Sequence, residues 1–99
     1  MYLYILKCSD NSYYTGVTGD IEKRINEHNI GIDPKSYTFN RKPVKCVFVQ
    51  QFNDPLDAIK SEKRIKGWSR PKKEALILGD YNELIKLSNQ KNNMKNKSD

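Results

Sequence analysis

The sequence predicts a single small α/β domain in the order ββαβααα, with a three-stranded, mostly antiparallel sheet flanked by helices. Three observations predict it. Two strand-like runs enclose a short polar turn near the start, and a third apolar run follows a long aperiodic stretch. Everything after that run breaks into helical segments bounded by caps and glycine stops. At 99 residues the chain is one domain, near the lower limit at which an apolar core suffices without staples.

In the first strand, Tyr2 to Cys8, the residues Tyr2, Tyr4, Leu6 and Cys8 share one face and Leu3, Ile5 and Lys7 the other. Both faces are largely apolar, which places this strand in the middle of the sheet. Ser9-Asp10-Asn11-Ser12 is a turn cluster, and Tyr13 to Thr18 is the returning strand of a hairpin, with Gly16 marking a bend or a close approach. Asp20 caps a helix to Asn29 whose stripe is Ile21, Ile25 and His28. Residues 30–43 hold Gly31, Pro34 and Pro43 without a sustained period and read as a loop, long enough to be functional. Val44 to Phe52 is the third strand, with Val44, Cys46 and Phe48 on one face and Val47 and Val49 on the other.

Asn53 or Asp54 caps the next helix, with Pro55 in its first turn. It buries Leu56, Ile59 and Ile65 and stops at Gly67. Ser69 and Pro71 open a short helix to Leu78, ended by Gly79. Asp80 and Glu83 have capping-box spacing and start a last helix to about Leu87. Residues 1–87 form the domain, and 88–99, almost without apolar side chains, read as a polar, frayed tail.

Apolar residues make up 36% and charged residues 30%, lean for a globular protein yet too apolar for a disordered one. No apolar run approaches the ~20 residues that cross a bilayer, and no secretory signal pattern is present, so the expected location is the cytoplasm. Cys8 and Cys46 are isolated in apolar runs and read as reduced, buried thiols, with neither a disulfide nor a zinc site. Of the net charge of +6, residues 1–34 contribute −2, residues 35–73 contribute +8 and the rest balances. A positive field concentrated in this way nominates a polyanion such as nucleic acid, or an acidic membrane surface, as partner, against the plainer reading of a solvated lysine-rich face. The candidate contacts are Lys35, Arg41, Lys42, Lys63, Lys66, Arg70, Lys72 and Lys73.

Five side chains are candidates for chemistry. Tyr4 and Tyr14 lie on paired strands of the hairpin, within cross-strand or diagonal reach. Arg24 and His28 share a helix face one turn apart. Glu62 is the only acid in its helix after the first turn, amid Lys60, Lys63, Arg64 and Lys66. Each has a plainer reading: core tyrosines, an Arg24–Asp20 pair, a histidine favoured by the helix dipole, a Glu62–Lys66 bridge.

The order and spacing of these residues resemble the GIY-YIG nuclease family. Tyr2-Leu3-Tyr4 stands for the first half-motif and Tyr14-Thr15-Gly16 for the second, ten positions separate Tyr4 from Tyr14, Arg24 follows Tyr14 by ten, and His28 follows Arg24 by four. Ala58 to Trp68 resembles the segment bearing the family's metal-binding glutamate. Ser36-Tyr37-Thr38 and Arg41-Lys42-Pro43-Val44 resemble the small stand-alone bacterial branch, the UPF0213-like group, related to the N-terminal nuclease domain of an excinuclease. The resemblance covers residues 2–78. The first half-motif lacks its glycine and isoleucine, and Val17 stands where some family nucleases carry a lysine.

The resemblance implies the GIY-YIG endonuclease fold and metal-dependent hydrolysis of phosphodiester bonds in DNA (single-stranded, branched or damaged, with RNA also open), in repair or recombination. It implies one Mg²⁺ or Mn²⁺ ion on Glu62, Arg24 on the scissile phosphate, Tyr4 or Tyr14 as general base, and His28 as helper. The alternatives are a nucleic-acid-binding accessory domain with little catalysis and a protein-interaction module using Trp68 and the basic helix.

Overall fold

The structure, a computed structural model, describes residues 1–97, with side chains through Asn89. The chain forms two compact units, Met1–Lys66 and the remainder from Gly67. The first contains β1 (Tyr2–Lys7), β2 (Tyr13–Thr18), α1 (Ile21–Ile30), a 3₁₀ turn (Phe39–Arg41), β3 (Lys45–Gln51) and α2 (Pro55–Lys66). The second contains α3 (Arg70–Leu78) and α4 (Tyr81–Lys97). The order ββαβααα is the expected one.

The strands lie in the order β2-β1-β3, all antiparallel, with β1 in the middle as its two apolar faces require. Leu3, Ile5 and Leu6 are fully buried, and Tyr4 is 2% exposed. One face of the sheet carries Tyr4, Leu6 and Cys8 with Val44, against which Ile21 and Ile25 of α1 pack. The hairpin turn closes through Cys8 N–H on the Ser12 carbonyl (2.9 Å), with Asn11 at φ 67° and Asp10 accepting from the Ser12 amide.

One expectation for β3 is corrected. Ile5 pairs with Phe48 but Leu6 pairs with Cys46, a bulge that leaves Val47 as the extra residue. Paired residues share a face, so Cys46 joins Leu6 while Phe48 joins Ile5, and the strict alternation that would put both on one side is broken.

Helix α1 starts on Asp20, whose carboxylate accepts the Lys23 amide, and stops at Gly31 in the left-handed region at φ 79°. Loop 31–44 is more ordered than its aperiodic sequence suggests. Asn29 clasps Val44 with both ends of its amide (2.8 and 3.2 Å), and Arg41 bonds Asp10 (3.0 Å) and the Tyr37 carbonyl (2.7 Å) with its guanidinium 3.9 Å over the Tyr37 ring. Thr38, in the middle of this loop, is 1% exposed.

Asp54 caps α2 through the Leu56 amide. The helix packs on β1 and β2 and buries Ala58 and Ile65, while Leu56, expected in the core, is 62% exposed. At 100° per residue Leu56 lies about 200° around the helix from Ala58, so both cannot face the sheet.

In the second unit, α3 and α4 pack on each other, and Gly79 at φ 72° ends α3 with its N–H on the Ala75 and Leu76 carbonyls. Asp80 caps α4 through the Glu83 amide. Helix α4 continues ten residues past Leu87, because no glycine or proline interrupts the stretch to Lys97. The end of the expected tail, residues 98–99, lies outside the described residues.

Among the described residues no helix is long and apolar enough to cross a membrane. Cys8 is buried and Cys46 half-buried, and both are free thiols.

Candidate active site

Register and helix phase bring the tyrosines and the histidine together. Tyr4 pairs with Gly16 and Leu6 with Tyr14, so both phenols project from one face of the hairpin, their ring centres 6.3 Å apart. His28, on the buried stripe of α1, sits edge-on to both, with ring centres 6.0 Å from Tyr4 and 5.2 Å from Tyr14. The Tyr4 hydroxyl lies 3.1 Å from His28 Nε2, and the opposite nitrogen, Nδ1, lies 2.7 Å from the Thr38 hydroxyl. Thr38 in turn is 3.1 Å from the Ser36 hydroxyl. Tyr4, His28 and Thr38 are all buried.

Gly16 makes this arrangement sterically possible. A Cβ at that position would lie 2.5 Å from the Tyr4 hydroxyl oxygen and 2.7 Å from its Cζ. The ring of the first half-motif therefore occupies the space that the glycine of the second leaves open.

A cleft of about 270 Å³ opens beside this cluster, lined by Tyr14, Arg24 and His28 and, from the loop, by Ser36, Tyr37 and Thr38. Arg24 is half-exposed and pairs with Glu27 at 3.8 Å rather than with Asp20. The Tyr37 ring stacks on Tyr14 at 6.0 Å.

Glu62 stands four residues after Ala58 and three before Ile65, on the buried stripe of α2. Its side chain is 17% exposed, unusual for a carboxylate on a helix this rich in lysine, and Lys66 approaches it at 3.8 Å. The same ammonium lies 6.0 Å from the centre of the Tyr14 ring. Glu62 thus lies on the face of α2 that packs on β1 and β2, and its charge is felt at Tyr4.

The electrostatics of the cluster act on Tyr4 and His28. Burial, first, then Tyr14 and Glu62 push the Tyr4 hydroxyl far above the ordinary tyrosine range, against the opposing pull of Arg24. Burial and then Arg24 lower His28, partly offset by Glu27. At neutral pH Tyr4 is therefore a phenol and His28 a neutral imidazole. Tyr14, which lines the cleft, is the phenol open to a substrate.

The candidate cations divide by surroundings. Lys35 and Lys63 are exposed, Lys66 serves Glu62, Lys42 lies over the Phe39 ring (4.5 Å), and Arg41 braces the loop. In the second unit, Lys72 lies over Trp68 (4.4 Å), Arg70 pairs with Glu74 (3.7 Å) and Lys73 is half-buried. Sequence reasoning did not assign Thr38 or Ser36 to the site. The signal available for them is the Ser36-Tyr37-Thr38 run quoted for the family resemblance, which by itself gives neither hydroxyl a role.

Among the described residues no three His, Cys, Asp or Glu side chains cluster as metal ligands. A hard ion, unlike zinc, can be held by one carboxylate with the rest of its shell from water and phosphate. Glu62, half-buried and beside the tyrosines, is the residue that suits such an ion.

The order ββαβααα around a β2-β1-β3 antiparallel sheet matches the fold of a GIY-YIG catalytic domain. The family model of that description matches residues 1–75, and the chain belongs to the GIY-YIG family. More narrowly, it is similar to a UPF0213 protein of Staphylococcus saprophyticus, 50% identical over 76 residues that span 77% of this chain and 92% of the relative. A UPF0213 protein of Halobacterium salinarum is 44% identical over 76 residues, 77% of this chain and 97% of the other. The solution structure of a UPF0213 protein from Bacillus halodurans superposes with a TM-score of 0.52 at 40% identity, covering 88% of this chain and 95% of that one.

Proposed function

We propose that the chain is a divalent-metal-dependent endonuclease that hydrolyses phosphodiester bonds in DNA. The observation that carries this reading is the convergence of Tyr14, Arg24 and His28 on one cleft, with Tyr4 buried behind them against His28 and Glu62 on the buried stripe of the neighbouring helix.

Arg24 receives the scissile phosphate. Its planar, permanently charged fork suits the charge that grows on the equatorial oxygens during displacement. Glu62 would hold a single Mg²⁺ or Mn²⁺, whose contribution is to polarise a phosphate oxygen and to acidify a bound water. Tyr14 is the group at the cleft that takes the proton of the attacking water. A phenol is a poor base at neutral pH, so its own proton must leave as the new one arrives. Tyr4 and His28 supply the path: Tyr14 passes its proton to the Tyr4 oxygen, Tyr4 passes its own to His28 Nε2, and the imidazole ends as imidazolium. The neutral state of His28 leaves the ring one lone pair with which to receive that proton.

A chain this small has little surface for reading a long base sequence, so selection by nucleic-acid structure, as in repair or recombination, is the expected mode. The test is cleavage of labelled single-stranded, duplex and branched DNA, and of RNA, with Mg²⁺, Mn²⁺ or a chelator. Cleavage of at least one DNA substrate that the chelator abolishes is expected. Binding without cleavage under every metal condition would make the chain a nucleic-acid-binding accessory domain.

The exposed cations give a separate expectation. Lys63→Ala lowers affinity for all sequences alike and reduces the slope of log affinity against log salt by roughly 1, the signature of one lost phosphate contact. Arg41→Ala leaves that slope unchanged and lowers the melting temperature, because its guanidinium ties the loop to the hairpin turn. Salt titrations of DNA binding and thermal melts of the two variants check both statements.

A further inference from the structure

We propose that Thr38 is a positioning residue that fixes the tautomer of His28, keeping the ring proton on Nδ1 so that Nε2 is left to accept from the Tyr4 hydroxyl. The two ring nitrogens face different partners, Tyr4 at 3.1 Å and Thr38 at 2.7 Å, and all three residues are buried. A neutral imidazole has one N–H and one lone pair, so the partners must take opposite roles. A phenol is a better donor than acceptor, and an imidazole lone pair is a stronger acceptor than the phenol oxygen of Tyr14, the other hydrogen-bonding neighbour of Tyr4. The Thr38 hydroxyl can play either part, and Ser36 at 3.1 Å accepts the proton that Thr38 then has to place. The chain of bonds consequently runs from Tyr4 to His28 to Thr38 to Ser36.

The groups facing the imidazole are few. Tyr4 and Tyr14 approach from the strands, Arg24 and Glu27 from its own helix, and Thr38 from the loop. Thr38 is the one that touches Nδ1. When Nε2 takes a proton, Thr38 remains the acceptor of the Nδ1–H and supports the imidazolium. The catalytic meaning of this arrangement rests on the proposed nuclease reading; the tautomer does not.

His28 is the sole histidine of the chain, so its ring nitrogens can be read without assignment by ¹⁵N NMR. Above the imidazole's pKa, the wild-type protein is expected to show a protonated Nδ1 and an unprotonated Nε2. Thr38→Val, equal in shape but without the hydroxyl, is expected to raise the Nε2–H population severalfold, and Thr38→Ser to restore the wild-type spectrum. In cleavage assays Thr38→Val lowers kcat by at least about tenfold with KM nearly unchanged, and Thr38→Ser recovers most of it. Because the imidazole must be neutral to accept, kcat rises with pH through its pKa. Removing the acceptor at Nδ1 weakens the imidazolium and moves that limb to lower pH.

A wild-type spectrum with the proton on Nε2, or a Thr38→Val spectrum like the parent's, would overturn the proposal. The wild-type spectrum decides alone if Thr38→Val does not fold. The expected tautomer in a protein that cleaves nothing would uphold the role of Thr38 and end the nuclease reading.

Discussion

Glu62→Gln is expected to lower metal-dependent cleavage by about a thousandfold or more while leaving the fold and DNA binding close to the parent's. Glutamine keeps the volume and one oxygen acceptor but loses the charge that would hold a divalent ion. The carboxylate stands on the stripe Ala58–Glu62–Ile65, where a helix packed on two strands would ordinarily carry an apolar side chain. Burying a charge there costs stability unless it is closely paired, and Lys66, which approaches it at 3.8 Å, is itself half-exposed. A bridge of that kind contributes only about 0.3–0.5 kcal/mol, too little to account for the placement. Loss of the Lys66 pair alone therefore shifts the melting temperature slightly. Cleavage rates with Mg²⁺, together with a thermal melt and a DNA-binding isotherm of the same preparation, separate the two effects. Parent-like cleavage by the glutamine variant would remove Glu62 from the mechanism.

Much of this arrangement is written in local chemistry. The two apolar faces of Tyr2 to Cys8 decide the middle strand, Asp20 and Gly31 bound α1, and Gly79 and Asp80 punctuate the last two helices. These signals are short-range and act within a turn or two of the chain. The bulge at Val47 is different: it depends on how β3 meets β1, and an unbroken alternation of valines and a cysteine gives no sign of it. Leu56 misleads for a related reason, since the phase of α2 is set by Ala58 and Ile65 against the strands rather than by the first leucine. The candidate site was legible as spacing, ten and four residues, because strand register and helix phase turn such intervals into shared faces. Thr38 was not legible, because its burial comes from a loop pinned by Asn29 and Arg41 through contacts distant in sequence. Arg24 is a local case: its partner is Glu27, one turn on, rather than Asp20, whose Oδ1 accepts the Lys23 amide at the helix cap.

Gly16→Ala tests the geometry on which the relay depends, and it is expected to destabilise the protein by about 1–3 kcal/mol, the usual cost of overpacking a filled site. For a chain of this size that lowers the melting temperature by roughly 4–8 °C per kcal/mol. The added methyl would meet the Tyr4 hydroxyl at 2.5 Å and Cζ at 2.7 Å. Tyr4 cannot swing clear, since its ring is buried and its hydroxyl is bonded to His28. Either the ring shifts and the 3.1 Å contact to Nε2 breaks, or the two strands separate, and in both cases cleavage falls with stability. Tyr4→Phe alone removes the bond to His28 and costs about 1 kcal/mol, leaving Nε2 without its donor. In the Gly16→Ala background the same change also removes the nearer clashing atom while Cζ at 2.7 Å remains, so it costs less there than in the parent. A double-mutant cycle by chemical denaturation is expected to give a coupling of about 0.5–3 kcal/mol between the two positions. Additive effects would mean that the glycine of the second half-motif and the tyrosine of the first do not depend on each other, and the steric account of why both stand together would fail.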